Sequence, residues 1–238
     1  MGATLEGMFP PGWPDQPQYE VSFPGMAGLV GQWLKQVERR LREGMFKDEC
    51  SGALGFLQAK RSLYHPLLYR PAHANVDVRV RPVALNDGEA RFVERLHRWL
   101  ESPEGIDKVG DAEVFLLRNL SRAGLGFFVG RGFYPDFVVW VIRGNQQWIS
   151  FVDPKGLVHI GGEHDGKIGL AEDLRQVEQR AGGGTTHLDS WLWSVTPRSK
   201  LELARYPQGF VANHVLFDED GPTAMATLLS RASRGGSA

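Results

Sequence analysis

The sequence predicts an α/β protein, with helices packed on a mixed central sheet and a helical extension ahead of it. Three observations carry that prediction. From residue 87 onward, apolar patterns of helical and strand period follow one another in the order α-β-β-β-α-β. Two of the strand patterns flank Gly144-Asn145, a dipeptide suited to a two-residue hairpin turn. And 238 residues with 42% hydrophobic side chains are enough for one full domain plus an appendage around a sizeable core.

Composition narrows the functional classes. A formal charge of −1 excludes a uniformly basic, histone-like binder, although a local basic surface still suffices for nucleic acid. The single cysteine, Cys50, excludes a disulfide framework and a cysteine-rich zinc site, and suits a reducing compartment. No apolar run approaches the roughly 18 residues of a membrane span. The first residues lack a secretory pattern, and Glu6 stands where a myristoylation signal has Ser or Thr. The chain is therefore expected in the cytoplasm and off the membrane. It has no G-x-x-x-x-G-K-[ST] loop and no room for a two-lobed helicase motor.

Each element has its own signal. Pro10, Pro11, Pro14, Pro17 and Pro24 mark an extended leader. Val30, Trp33, Leu34, Val37 and Leu41 form a helical stripe opposite Lys35, Glu38, Arg39, Arg40 and Arg42. That charged face reads as solvated or as a phosphate contact. Residues 53–70 are ambiguous, with 53–60 able to form a helix. Residues 75–83 alternate with period two and suit a short strand or an extended lead-in. The boundary is placed near residue 82, giving a leader and helical extension over 1–82 and the α/β domain over 83–238.

The domain opens with a helix over 87–101, striped by Phe92, Val93, Leu96, Trp99 and Leu100. A loop over 102–110 follows, then a buried strand over 113–117 and a glycine-rich connection over 121–132. Strands are expected at 133–142, 147–153 and 188–196, with a helix over 167–181 and a last helix over 222–232. Gly124-x-Gly126-x-x-x-Gly130 is one residue too long for a dinucleotide loop and precedes a strand, so it reads as a bent connection. Trp191 and Trp193 read as core.

The chemistry concentrates in the hairpin. A turn at Gly144-Asn145 sets a register in which Asp136 lies directly opposite Asp153, with Lys155 two residues further along the same strand. Both strands are apolar on both faces, so the hairpin should be central and the acids at least partly shielded. Opposed, shielded carboxylates are costly unless they share a proton, meet a cation or bind a metal. Lys155 supplies one cation. Oxygen ligands suit Mg²⁺, and the carbonyl of Pro154 is a further acceptor. The plainer alternative is a hairpin end carrying one Asp–Lys ion pair.

Pro135-Asp136, then sixteen residues, then Asp153-Pro154-Lys155 resembles the PD-(D/E)xK nuclease signature. Pro82-Val-Ala-Leu-Asn-Asp-Gly-Glu89, Val114-Phe-Leu-Leu-Arg-Asn119, Gly126-Phe-Phe128, Phe133-Tyr-Pro-Asp-Phe137 and Phe151-Val-Asp-Pro-Lys-Gly156 resemble the C-terminal endonuclease region of helicases related to type III restriction subunits, over about residues 62–220. The resemblance implies a restriction-endonuclease-like αβββαβ core and a Mg²⁺-dependent (or Mn²⁺-dependent) endonuclease acting on DNA in bacterial restriction or antiphage defence. It implies that Asp136, Asp153 and Glu89 are metal ligands, joined by the Pro154 carbonyl, and that Lys155 positions the attacking water. Two departures are the shorter Asp at the second acid and the proline before the lysine; neither removes a ligand.

Glu89 has two readings. Asn86-x-x-Glu89 spells a capping box, but Glu89 also shares the stripe of Phe92, Val93 and Leu96, which favours the site. Arg118, Arg122, Arg131 and Lys167 are candidate phosphate contacts, as is Arg143. His159 and His164 read as loop residues, since no partners complete a zinc site. DNA is the expected partner, with a helicase or ATPase on another chain or in a missing fused motor, and homodimer action suits a double-strand cut. The rival readings are a catalytically silent nuclease-fold binding module and a small-molecule enzyme using the same carboxylates.

Overall fold

The computed structural model describes residues 3–4, 19–25, 27–50, 52–59, 62, 67–74, 76–119, 134–155, 170, 174, 176–179, 184–202, 206 and 209–233. The chain divides into two compact units, Met1–Val93 and Glu94–Ala238.

The first unit holds more strand than the sequence pattern suggests. Strands β1 (Ala3–Thr4) and β2 (Glu20–Ser22) precede helix α1 (Ala27–Arg42), which is followed by β3 (Lys47–Cys50), β4 (Leu54–Leu57), β5 (Leu67–Tyr69) and β6 (Arg79–Arg81). They form two antiparallel three-stranded sheets, ordered β1-β2-β6 and β3-β4-β5. The expected helical extension is therefore a mixed α/β unit. Residues 54–57 are a strand, not a helix, because a four-residue apolar run carries no period to separate the two. Helix α1 matches its stripe: Val30, Trp33 and Val37 are buried, and Leu34 and Leu41 pack against the same core with Val21, Phe23, Leu54 and Phe56. On its charged face Arg40 pairs with Glu43 and with Asp48 at 2.8 Å, and Arg42 with Glu38.

Helix α2 (Asp87–Leu100) runs across the division between the units. Helix α3 (Pro103–Val109) follows where a loop was expected. Ser102 caps it, its Oγ accepting the Gly105 N–H at 3.1 Å, and proline opens the first turn. Gly105 is required there, since a Cβ would collide with the Trp99 carbonyl.

The second unit is built on one five-stranded mixed sheet, ordered β11-β10-β9-β8-β7. Its strands are β7 (Glu113–Arg118), β8 (Phe137–Arg143), β9 (Gln146–Lys155), β10 (Thr186–Ser194) and β11 (Val215–Phe217). The first three form an antiparallel meander; β10 runs parallel to β9, and β11 parallel to β10. A parallel step needs a crossover, and residues 170, 174 and 176–179 within it are helical. Leu170 and Leu174 pack on Val138 and Phe151, so the crossover covers one sheet face.

Helices α4 (Phe210–His214), α5 (Pro222–Leu228) and α6 (Ser230–Ser233) complete the chain. The last two replace a single expected helix, which breaks at Leu229. On the opposite face Trp99, Val109, Ala226, Leu229 and Ala232 meet Val114 and Val141 around one small apolar cavity. Covering on both faces explains why the central hairpin is apolar on both sides. Among the described residues no helix is long and apolar enough to cross a membrane.

Candidate active site

The β8–β9 hairpin has the register expected of its turn. Arg143 pairs with Gln146 around Gly144-Asn145, and Gly144 takes φ 58°, the left-handed region that such a turn requires. The ladder runs to Phe137↔Val152 and stops. One step beyond, the register sets Asp136 opposite Asp153; one step further, it sets Pro135 opposite Pro154. Proline has no N–H to donate. Neither member of that pair can extend the ladder from its own nitrogen, so the two strands are free to part at the acids.

Beyond that point β9 continues on its other partner alone, with Asp153 beside Leu192, Pro154 beside Trp193 and Lys155 beside Ser194 on β10. Asp153 is only 1% exposed, and both its carboxylate oxygens are shielded from solvent. Asp136 sits at a bend, half-buried, with Oδ2 shielded. Strand alternation puts Asp153 on the face of Phe151, which the crossover covers. The backbone of Lys155 belongs to β9; its side chain lies outside the described residues.

The chain entering β8 is held from β7. The Asn119 backbone N–H donates to the Asp136 carbonyl at 2.8 Å, and the Asn119 Nδ2 donates to the Pro135 carbonyl at 2.8 Å. No sequence pattern marks Asn119 for this role, because its contacts arise only from the pairing of β7 with β8.

Glu89 forms the capping box: its Oε2 accepts the Asn86 N–H at 3.0 Å, and its own N–H donates to the Asn86 Oδ1 at 3.0 Å. Arg118 lies on the sheet face of Val114 and Leu116, opposite to that of Asp153, so strand alternation directs it away from the acids. Arg143 stands at the hairpin turn, the far end of the ladder, and is not a phosphate contact beside the acids. Its Nη2 donates to the Val109 carbonyl at 2.7 Å and its Nε pairs with Asp111 at 3.2 Å, closing the C-terminus of α3. Arg122, Arg131, Lys167, His159 and His164 lie outside the described residues. Trp193 is fully buried, as expected of core, while Trp191 is half-buried against His214.

The donor set suits a hard divalent cation. Mg²⁺ is commonly held by one or two carboxylates, with waters and phosphate oxygens filling the other positions. The buried carboxylate of Asp153, the half-buried carboxylate of Asp136 and the neighbouring proline carbonyl are donors of that kind. Among the described residues no group of three or more His, Cys, Asp and Glu side chains could hold a metal, so the fit rests on the two acids. Comparison of the chain with protein-family models, curated proteins and solved structures finds no match.

Proposed function

We propose that the chain is a metal-dependent nuclease that hydrolyses DNA phosphodiester bonds, built on a restriction-endonuclease-like αβββαβ core. The observation that supports this reading is the β8–β9 register, whose continuation one step past its last rung, Phe137↔Val152, would set Asp136 opposite the buried Asp153. The order of helix, three antiparallel strands, crossover and parallel strand supports it.

Asp136, Asp153 and the Pro154 carbonyl are the groups that would hold Mg²⁺ or Mn²⁺. Such an ion, when bound, supplies charge stabilisation at the phosphate and its leaving oxygen. Lys155, two residues beyond Asp153, orients the water for in-line attack. The water oxygen bonds to phosphorus and releases a proton to solvent as the bond to the leaving sugar oxygen breaks, and that oxygen takes up a proton from solvent. Glu89 keeps its capping role in this reading. DNA is the partner, a helicase or ATPase supplies any translocation, and two copies supply the two cuts of a duplex break. The setting is cytoplasmic restriction or antiphage defence.

Incubating supercoiled plasmid with the protein and Mg²⁺ or Mn²⁺ tests the reading. Wild type should nick, and Lys155→Ala should lose about 10²–10⁴-fold in rate, the range for a positioned acid–base group. A folded wild type that binds DNA and cuts with neither metal would overturn the reading in favour of a silent binding module.

A further inference from the structure

We propose that Asn119 is the positioning residue for Asp136, an inference that rests on the acid-pair reading above. In a regular strand successive carbonyls point to opposite edges. Here the carbonyls of Pro135 and Asp136 both accept from Asn119, one from its side chain and one from its backbone, each at 2.8 Å. That is possible because the chain bends at Asp136.

The bend needs a support that β9 does not give. The ladder to β9 has already ended at Phe137↔Val152, and the prolines beyond it bring no donors. The restraint comes from β7, whose last regular rung is Arg118↔Phe137, with Asn119 the next residue. The side-chain amide thus stands in for a missing ladder bond and fixes the backbone that carries the first acid. Groups that fix a ligand without touching the metal commonly set its affinity.

Mn²⁺ titration of the full chain, followed by electron paramagnetic resonance of the free ion, tests this. Asn119→Asp keeps size and the backbone N–H but replaces the amide donor with a carboxylate facing a carbonyl; Asn119→Ala removes the donor. Both should weaken Mn²⁺ binding by about 10–100-fold. The metal concentration for half-maximal nicking should rise in parallel, and the rate should recover at saturating metal. Should the alanine variant not fold, the aspartate variant carries the test. A folded Asn119→Asp that binds Mn²⁺ like wild type overturns the assignment of Asn119 alone. A wild type that binds no Mn²⁺ overturns the acid-pair reading, and this inference with it.

Discussion

Phe137 pairs with Val152 as the last rung of the β8–β9 ladder, and the next step of that register holds the two acids. A slip of one residue would send Asp153 to the opposite face of the sheet. Two local features hold the register. The left-handed turn at Gly144 starts the ladder, and the opposed Pro135 and Pro154 end it.

The turn can be tested by itself. Among the described residues, its two chain neighbours apart, no atom lies within 4 Å of where a Cβ on Gly144 would stand, so the cost of a substitution there is backbone strain. Gly144→Val should lower the free energy of unfolding by about 1–2 kcal/mol. Gly144→Asn should cost less, because asparagine tolerates positive φ. Urea midpoints at unchanged m-value measure both; equal losses would argue against a strained turn.

The capping box at the start of α2 separates stability from chemistry. Asn86→Ala removes the side chain that accepts the Glu89 N–H and should cost about 1 kcal/mol. Glu89→Gln keeps an acceptor for the Asn86 N–H and should leave stability within about 0.5 kcal/mol of wild type. Thermal unfolding of the two variants checks the pair; a large loss in Glu89→Gln would show that the carboxylate charge matters to the fold.

His97 gives the fold a pH dependence of defined sign. Burial lowers its pKa from the ordinary 6.5, and the nearby Glu101 opposes that shift without cancelling it. The unfolded chain then takes up the proton more readily than the folded one. Stability is full above about pH 6.5, declines as pH falls from there towards the folded-state pKa, and levels off below it. His97→Gln should flatten that part of the profile, read as urea midpoints across the range; an unchanged slope would assign the dependence to other groups.

Long patterned elements were legible in the sequence, and short ones were not. The stripes of α1 and α2 repeat often enough to declare their period, and β8 and β9 are long apolar runs on either side of a recognisable turn; the burial of both matches. β4, β5 and β11 are three or four residues long, and Val215-Leu-Phe217 offers no period at all. Helix α3 did carry its signal, Ser102-Pro103 at the start and Gly110 at the end, but seven residues held only a weak apolar pattern. The β8–β9 register could be read because a two-residue turn fixes every rung after it. Asn119 could not, because its role depends on how β7 lies beside β8, and the intervening chain sets no register. Glu89 satisfied two patterns at once, and the hydrogen bonds at the helix start meet the local one.

The central claim is that Asp136 and Asp153 together hold one divalent ion. Anomalous diffraction from crystals of the full chain grown with Mn²⁺ tests it most directly. The account predicts a manganese peak bound by both carboxylates in wild type, and its loss in Asp153→Asn. A well-ordered wild-type site with Mn²⁺ in the crystal, no peak between the two acids and their side chains on opposite sides of the sheet would contradict it.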